Sequence, residues 1–166
     1  MAWSSRRVER LVSRIVYIGL CALVLWAGVG LMNHFREVVL CKDYLLRWQV
    51  AVQGYNAQSS YWPEFTGSNH MEYMKALVKR MEVMGIGVPR SDTQDPFIYV
   101  LHRLWGQNER LFVLCLKQRI IVYGMSYETF EKLDRYVDGK VDPNEGMVRG
   151  RRGKDGRSIT AIWRVP

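Results

Sequence analysis

The sequence predicts an α+β protein whose long N-terminal helix crosses a membrane and then packs on a small antiparallel sheet. Three observations predict this fold class. An uncharged apolar run occupies residues 15–32, a segment with helical periodicity follows at 35–55, and short strand-like segments fill the chain after residue 96. A helix with one apolar face needs a second layer against which to bury it, and the strands supply that layer.

The apolar run contains 18 residues, IVYIGLCALVLWAGVGLM, and none of them is charged. At about 1.5 Å per residue the run is about 27 Å long, close to the thickness of the hydrocarbon core of a bilayer. A cleaved signal peptide would have a similar arginine-rich start. However, no Ala-x-Ala site stands near residues 27–30, and the run continues to Met32. We therefore expect a retained transmembrane helix.

The charges that flank the run predict its orientation. Residues 1–14 carry four arginines and one acid, whereas residues 33–37 carry one arginine and one glutamate. By the positive-inside rule the N-terminus stays in the cytoplasm and the C-terminal part is exported. The predicted organisation is a cytoplasmic tip at 1–14, a transmembrane helix at 15–32, a stalk helix and its exit at 33–62, and an exported α+β domain at 63–166.

The stalk segment continues the helix out of the membrane. No glycine or proline interrupts residues 35–53, and apolar side chains recur at steps of three and four. They form one stripe: Val38, Cys41, Leu45, Trp48, Val52 and Tyr55. We expect one continuous helix over residues 8–54, about 70 Å long, apolar all round in its first half and amphipathic in its second.

A second helix is predicted at the start of the exported domain. Asn69 and Glu72, three residues apart, have the spacing of a capping box, and Gly85, Gly87 and Pro89 end the helix. Its apolar face is supplied by Met71, Met74, Leu77, Val78 and Met81. The spacing of these side chains is that of an amphipathic helix.

The chain after this helix is rich in strand signals. Residues 97–105 and 110–116 are predicted to form a hairpin about the turn at 106–109. Residues 119–123 form a further apolar strand. Together they predict three consecutive antiparallel strands.

The last part of the chain predicts one short helix and a second strand pair. Ser126 caps a helix over residues 127–137, and Gly139 ends it. Residues 147–149 and 158–165 then pair across a turn. The exported domain is thus predicted to be an antiparallel sheet with helices packed on it.

The charge of the chain limits its partners. The net charge is +8, and the densest basic cluster, at residues 149–154, is interpreted as a solvated hairpin loop. An exported domain without a continuous basic stripe is not expected to bind nucleic acid. A mildly basic surface instead favours acidic partners or phospholipid head groups.

The three cysteines do not form a recognisable framework. Cys21 lies inside the apolar run, Cys41 on the stalk and Cys115 in an apolar strand. A disulfide between Cys41 and Cys115 is one prediction for an oxidising compartment, and two buried free thiols are the other, which we favour.

No catalytic motif is found in the sequence. His34, His70 and His102 have no partner at a recognisable spacing, and GxSxG, P-loop and dinucleotide fingerprints do not occur. We therefore expect a protein that is not an enzyme and carries no cofactor.

One acidic loop is a candidate metal site. Asp138, Asp142, Asn144 and Glu145, with Asp155 nearby, offer the oxygen donors that calcium prefers. The alternative is a simple turn, since their spacing is not that of an EF-hand. Calcium is thus a hypothesis that needs a geometric test.

The layout resembles the type IV pilins and the pseudopilins of type II secretion. Residues 51–63, AVQGYNAQSSYWP, look like the family's helix exit, an A-x-x-x-Y segment followed by a polar turn and W-P. Residues 95–99, DPFIY, are similar to the family's D-P-W…Y entry to the first strand. The acidic loop also stands near the place where some pseudopilins hold calcium.

The resemblance implies a non-enzymatic subunit of a type II secretion or type IV pilus-type assembly. It would lie in a bacterial inner membrane with a periplasmic domain, among pilin-like or secretion-system subunits in a homo- or hetero-oligomer. Gly19, Gly28 and Gly30 would allow helices to approach closely in the bilayer. The alternative is a single-pass membrane protein whose periplasmic domain binds a soluble partner or ligand.

One family feature is missing from this sequence. Prepilins are processed at a glycine that precedes a hydrophobic start with a glutamate at the fifth mature position. Here no glutamate follows Gly19, and Glu9 is preceded by Arg6, Arg7 and Val8. We therefore expect that a prepilin peptidase does not cut this chain in the usual way.

Overall fold

The computed structural model of the protein describes residues 5–153 and 155–165, with side chains from residue 8 onwards. Residues 1–4 and the side chains of Arg6 and Arg7, in the predicted cytoplasmic tip, and Lys154 of the basic cluster lie outside the described residues. The elements are α1 (Ser5–Val39), a π-helical turn (Leu40–Leu45), α2 (Leu46–Gln58), α3 (His70–Val83), β1 (Ile98–Leu101), β2 (Glu109–Leu116), β3 (Arg119–Ser126), α4 (Tyr127–Asp138), β4 (Val148–Arg152) and β5 (Ser158–Arg164). The fold class is α+β, as predicted.

The helical backbone is unbroken from Ser5 to Gln58, and we name it the long helix. The prediction of one continuous helix is confirmed, although the helix ends at Gln58 and not at residue 54. The π-helical turn in its middle was not predicted. There the backbone N–H of Leu46 donates to the carbonyl of Cys41, five residues back.

The first half of the long helix is exposed on all sides. Ile15 exposes 61% of its surface, Trp26 71% and Leu31 70%. By length and composition this segment is a candidate membrane span. An apolar helix that contacts no other part of its own chain needs an apolar environment from elsewhere.

The second half of the long helix lies in the core of the domain. The predicted stripe is buried at Cys41, Leu45, Trp48, Val52 and Tyr55 and half-buried at Val38. Other side chains of this half are also buried, namely Glu37, Leu40, Tyr44 and Ala51. The buried apolar side chains of this half join those of the sheet in a single apolar cluster, so the helix serves as the central element of the domain.

Five antiparallel strands form one sheet in the order β1-β2-β3-β5-β4. The order places the C-terminal hairpin beside β3 rather than at the edge next to β1. The register between β3 and β5 shifts at Gly124, which has a φ of +82°. A Cβ there would lie 2.4 Å from the carbonyl oxygen of Arg110, so only glycine fits this bulge.

The first strand is shorter than the sequence predicts. Residues 97–105 were expected in one strand, but β1 covers only Ile98–Leu101. The prediction was wrong for the end of the segment because the carbonyls of His102 and Leu104 accept hydrogen bonds from Arg36 and Asn33 of the long helix. The chain therefore leaves the sheet and follows the helix.

The basic cluster is also placed differently from its prediction. The sequence was interpreted as a hairpin loop over residues 149–154, but the segment up to Arg152 belongs to β4. Arg149, Arg151 and Arg152 are exposed on this edge strand. Gly150 alternates with Arg149 and Arg151 and lies against the ring of the buried Phe130.

The helix α3 begins where the sequence predicts but is not capped by the predicted contact. Asn69 occupies the N-cap position without a side-chain capping bond. Its side chain turns back instead, accepting from the N–H of Thr66 and donating to the carbonyl of Glu64. Met71, expected in the apolar face, is 39% exposed, whereas the other four predicted residues are buried.

The helix α4 agrees closely with its prediction. Ser126 caps it by accepting from the N–H of Thr129, and Gly139 ends it in a left-handed conformation with φ +76°. Phe130 and Leu133 are buried against the sheet. The polar side of α4 faces the long helix, and charged side chains of the two helices pair there.

Candidate functional site

The predicted calcium ligands lie at the end of α4 and in the loop after it. The carboxylate of Asp138 accepts from the backbone N–H of Met147 at 3.0 Å and of Val148 at 3.0 Å. Glu145 lies 3.9 Å from the ammonium of Lys140. Asp138 therefore binds the backbone at the start of β4, and Glu145 lies near the exposed Lys140.

Asp142 and Asn144 close the same loop through backbone contacts. The N–H of Asp142 donates to Asp134 at 2.7 Å, and the N–H of Asn144 donates to Asp142 at 3.0 Å. Burial raises the pKa of Asp134, and the bond from Asp142 opposes that rise. Asp155 accepts from Arg157 and Ser158 in the C-terminal hairpin.

Three of these carboxylates, Asp138, Asp142 and Asp155, accept hydrogen bonds from backbone N–H groups, and Glu145 lies near Lys140. Within residues 5–153 and 155–165, no group of three or more His, Cys, Asp and Glu side chains is placed to hold a metal ion. The geometry therefore favours the turn interpretation of the acidic loop.

The three predicted assembly glycines lie on the free part of the long helix. A Cβ added at Gly19, Gly28 or Gly30 would meet nothing within 4 Å. At about 100° per residue, Gly19 and Gly30 lie within about 20° of each other around the helix, and Gly28 lies on the opposite side. The free part of the helix thus has two faces that carry glycine.

The cysteines are free thiols in two environments. Cys21 is exposed on the free part of the long helix, whereas Cys41 and Cys115 are buried. Burial, with a smaller contribution from the charge of Glu37, raises the pKa of Cys41 to about 12. The Cys41 thiol therefore stays protonated at neutral pH and is a poor nucleophile.

The histidines occupy packing or surface positions. His70 packs edge-on against Phe65, with ring centroids 5.2 Å apart. The Nε2 of His102 lies 3.3 Å from a carboxylate oxygen of the partly exposed Asp92. Neither arrangement places a nucleophile within reach of a base.

A buried ion cluster was not predicted and is the main polar feature where the long helix enters the domain. Arg103, in the loop after β1, lies between two buried carboxylates. Its Nη1 is 2.9 Å from Oε1 of Glu37 on the long helix, and its Nε donates to Oε1 of Glu109 on β2 at 2.9 Å. One guanidinium therefore joins the helix to the sheet.

The carboxylate of Glu109 is fully engaged. It accepts from the N–H of Ser126 at 2.9 Å and from the hydroxyls of Ser126 and Thr129 at 2.8 and 2.9 Å. The Thr129 hydroxyl in turn accepts from Arg103 at 2.7 Å. These bonds tie the start of α4 to the same cluster and offset the desolvation of the Glu109 carboxylate.

Lys132 of α4 completes the cluster. Its ammonium lies 2.7 Å from Glu37 and 2.7 Å from Glu128. Burial alone would lower the pKa of Lys132, but its hydrogen bonds to Glu128 and Glu37 outweigh burial and raise that pKa. The hydrogen bond from Lys132 lowers the pKa of Glu128. The ion pairs are therefore formed at neutral pH.

The sequence did carry one signal for this cluster. Glu37 stands four residues before Cys41 and seven before Tyr44, so it falls within the apolar stripe of the stalk. A charged residue at a buried position of a helix needs a partner. Nothing in the local sequence of Arg103 marks it as that partner, because it is 66 residues away.

A second surface feature is a basic groove at the far end of the domain. It has a volume of about 1090 Å³ and an apolar floor that includes Ile162 and Val165. Its rim carries four cationic side chains, Lys117, Arg119, Arg149 and Arg164. Such a groove favours an anionic partner with some apolar surface.

Comparison with known proteins finds no family model that matches this chain, no similar curated protein and no similar solved structure. The function must therefore be inferred from the long helix, the ion cluster and the exposed surfaces.

Proposed function

We propose that this chain is a non-enzymatic, pilin-like membrane subunit of a secretion or pilus-type assembly. One observation carries the proposal. A single unbroken helix has a free apolar half of bilayer length and a second half that forms the core of an antiparallel sheet domain. This layout connects a lateral contact in the membrane directly to a domain outside it.

The junction between the two halves supports the proposal because the sheet domain binds the helix there through hydrogen bonds and an ion pair. The domain contacts the long helix from Asn33 onwards, directly after the apolar run, through Leu104. The ion pair of Glu37 with Arg103 follows one turn later. A domain fixed at this point moves with its helix, as a subunit of a packed assembly requires.

The apolar half supports lateral packing. Its large side chains are exposed, and the three glycines leave room for close approach of another helix. The four arginines before the run favour a cytoplasmic N-terminus and an exported domain. The proposed location is therefore the bacterial inner membrane, with the sheet domain in the periplasm and the N-terminus uncleaved.

The test is thiol cross-linking in native membranes. Cys21 is exposed in the free half and shares a face with Gly28, seven residues on, whereas Cys41 and Cys115 are buried. Oxidation should therefore trap adducts between anchored subunits through Cys21. In the Cys21→Ala background, Leu23→Cys reports on the face that carries Gly19 and Gly30.

The expected result is covalent dimers or larger adducts from at least one face. Replacing the glycine of that face by leucine, Gly28→Leu or Gly30→Leu, should reduce the yield several-fold, because a large side chain separates the helices. Recovery of monomer alone from both faces would overturn the proposal. Full release of the chain from membranes by carbonate would overturn its membrane location as well.

The basic groove favours a second candidate function, a membrane-tethered domain that binds a soluble acidic partner. The rim residues Lys117, Arg119, Arg149 and Arg164 carry this candidate. It predicts monomers in the cross-linking test and loss of partner binding after Arg149→Glu. The cross-linking test and the Arg149→Glu variant of the groove therefore distinguish the two functions.

A further inference from the structure

The loop between β1 and β2 reaches back to the end of the apolar run. We name residues 102–108 the β1–β2 loop. The N–H of Leu104 donates to the side-chain oxygen of Asn33 at 2.8 Å, and the Asn33 amide donates to the carbonyl of Leu104 at 2.9 Å. Arg36 donates to the carbonyl of His102 at 2.8 Å. Because Asn33 directly follows the run, these bonds fix the height of the loop relative to the free half of the helix.

The tip of this loop is apolar and exposed. Trp105 exposes 75% of its surface and Leu104 37%. Trp105 has a φ of +57°, the single positive value among the non-glycine residues of the described chain. A bulky residue in this conformation is strained. This strained backbone conformation is present although the indole remains outside the core.

A groove separates the loop tip from the helix. It has a volume of about 600 Å³ and is lined by Trp26, Gly30 and Leu31 on the helix and by Leu104 and Trp105 on the loop. The two indoles therefore border the same groove. Trp is the side chain most favoured at the boundary between head groups and acyl chains, since it has an apolar body and one N–H donor.

Basic side chains lie near the loop. Arg110 and Arg157 line the adjoining groove that Trp105 borders. Arg110 is exposed. Cations at this position are placed to meet the phosphates of anionic lipids, which attract basic residues near a membrane surface.

We propose that the β1–β2 loop is a second membrane contact. Trp105 and Leu104 enter the head-group boundary of the leaflet nearest the sheet domain, and phospholipid occupies the groove beside Trp26. This inference rests on the proposed membrane span at residues 15–32. It adds that the domain lies against the bilayer and does not stand clear of it on a stalk. With the helix and the loop both in the lipid, the orientation of the domain to the membrane plane is fixed.

The test uses the full chain reconstituted into vesicles of phosphatidylcholine and phosphatidylglycerol. Trp105→Cys in the Cys21→Ala background is labelled with an environment-sensitive fluorophore, while Cys41 and Cys115 stay buried and unlabelled. Val83→Cys is the matched control, because Val83 is 82% exposed and lies beside Tyr55 at the far end of the long helix. Val24→Cys, in the centre of the apolar run, reports on the span.

We expect the label at 105 to be quenched by spin-labelled lipid and to be several-fold less accessible to aqueous iodide than the label at 83. Equal iodide quenching at 105 and 83, with no quenching by lipid, overturns the inference. Protection from iodide without lipid quenching also overturns it, since a second copy of the chain would then cover the loop.

The label at 24 separates this inference from the proposed span. Lipid quenching at 24 but not at 105 means that the helix spans the bilayer and the loop stands outside it, so the inference alone fails. Absence of lipid quenching at both positions, with vesicles that float without the protein, removes the membrane span and the loop contact together. Lipid quenching of the labels at 24 and 105, but not of the label at 83, supports both the membrane span and the loop contact.

Discussion

Arg103 is the residue on which the attachment of the long helix to the sheet depends most. It pairs with two carboxylates, Glu37 and Glu109, whose side chains are only 4% and 9% exposed. A buried carboxylate without a partner is costly because its hydration is lost and nothing replaces it. A single guanidinium can serve both carboxylates because its donors form a planar fork.

Replacing Arg103 by methionine should therefore destabilise the domain strongly. Arg103→Met keeps much of the side-chain volume but leaves two buried carboxylates without the guanidinium. We expect a loss of about 3–5 kcal/mol in the free energy of unfolding, the range for breaking a buried ion pair. Denaturant unfolding of the full chain in micelles, followed by tryptophan fluorescence, measures it.

The matched controls separate charge from volume. Arg110→Met removes an exposed arginine from the neighbouring strand and should cost less than about 0.5 kcal/mol. Adding Glu109→Gln to Arg103→Met should recover part of the loss, because a neutral amide is easier to bury. Equal stabilities of Arg103→Met and Arg110→Met would show that the cluster contributes nothing.

At the scale of elements, the periodicity of the sequence was sufficient to locate every helix and most strands. The steps of three and four found α3, α4 and the stalk, because each buries one face. The ends of elements were less predictable. β1 ends early because Arg36 and Asn33 bind its continuing backbone, and those two residues lie more than 60 positions away in the sequence.

The candidate site was less predictable than the fold for the same physical reason. The acidic loop could be recognised in the sequence as a local cluster of acidic residues. The side chain of Asp138, however, is oriented by hydrogen bonds from the backbone N–H groups of Met147 and Val148. The ion cluster joins the helix, the β1–β2 loop, β2 and α4. Local sequence contains no information on such long-range pairing, apart from the position of Glu37 in an apolar stripe.

Gly150 shows how α4 is fitted to the edge of the sheet. The sequence placed it in a solvated loop, whereas it lies in β4 under the ring of Phe130. A Cβ at this position would lie 2.7 Å from Cζ of Phe130, a ring that is fully buried. The absence of a side chain therefore allows α4 to approach the strand.

Substitution of Gly150 by alanine should lower the stability of the domain. We expect Gly150→Ala to cost about 1–3 kcal/mol, the range for forcing an extra carbon into a packed core. Thermal melting of the full chain measures the effect. Gly87→Ala is the control, since a Cβ at Gly87 would meet nothing within 4 Å and should leave the melting temperature unchanged.

A compensating variant tests the proposed cause. Phe130→Leu removes the atoms that the new Cβ would meet. The double variant Gly150→Ala with Phe130→Leu should therefore be more stable than the sum of the two single losses implies. Strict additivity would mean that contact with Phe130 is not the reason for glycine at this position.

At the scale of the whole molecule, the long helix holds the sheet at two points far apart. Asn33 binds the backbone of Leu104 near the apolar run, and Asn56 donates to the carbonyl of Lys117 at 2.8 Å in the turn between β2 and β3. At about 1.5 Å per residue the two asparagines are about 35 Å apart along the helix. Strand β2 runs between these attachment points.

The π-helical turn brings the two attachment points to similar sides of the helix. In a regular α-helix, residues 33 and 56 would be about 140° apart around the axis. A π-type insertion adds a residue without a full rotational step, which reduces the angle to about 40°. The turn lies between the asparagines, at Leu40–Leu45. The π-helical turn therefore allows both asparagines to bind the same sheet.

Each attachment should be local, and this can be measured separately at the two ends. Asn33→Ala removes both hydrogen bonds to Leu104, and Asn56→Ala removes the bond to Lys117. We expect faster amide hydrogen exchange in residues 102–108 for the first variant and in the β2–β3 turn for the second, because backbone groups that lose a partner open locally. The global free energy of unfolding should fall by about 1 kcal/mol for each hydrogen bond lost, which is about 2 kcal/mol for Asn33→Ala and about 1 kcal/mol for Asn56→Ala. Exchange measured by mass spectrometry on the full chain in lipid nanodiscs would resolve the two segments. If Asn33→Ala instead accelerated exchange throughout the sheet, the domain would depend on the contact between Asn33 and Leu104 to fold, and the helix would not be held at two independent points.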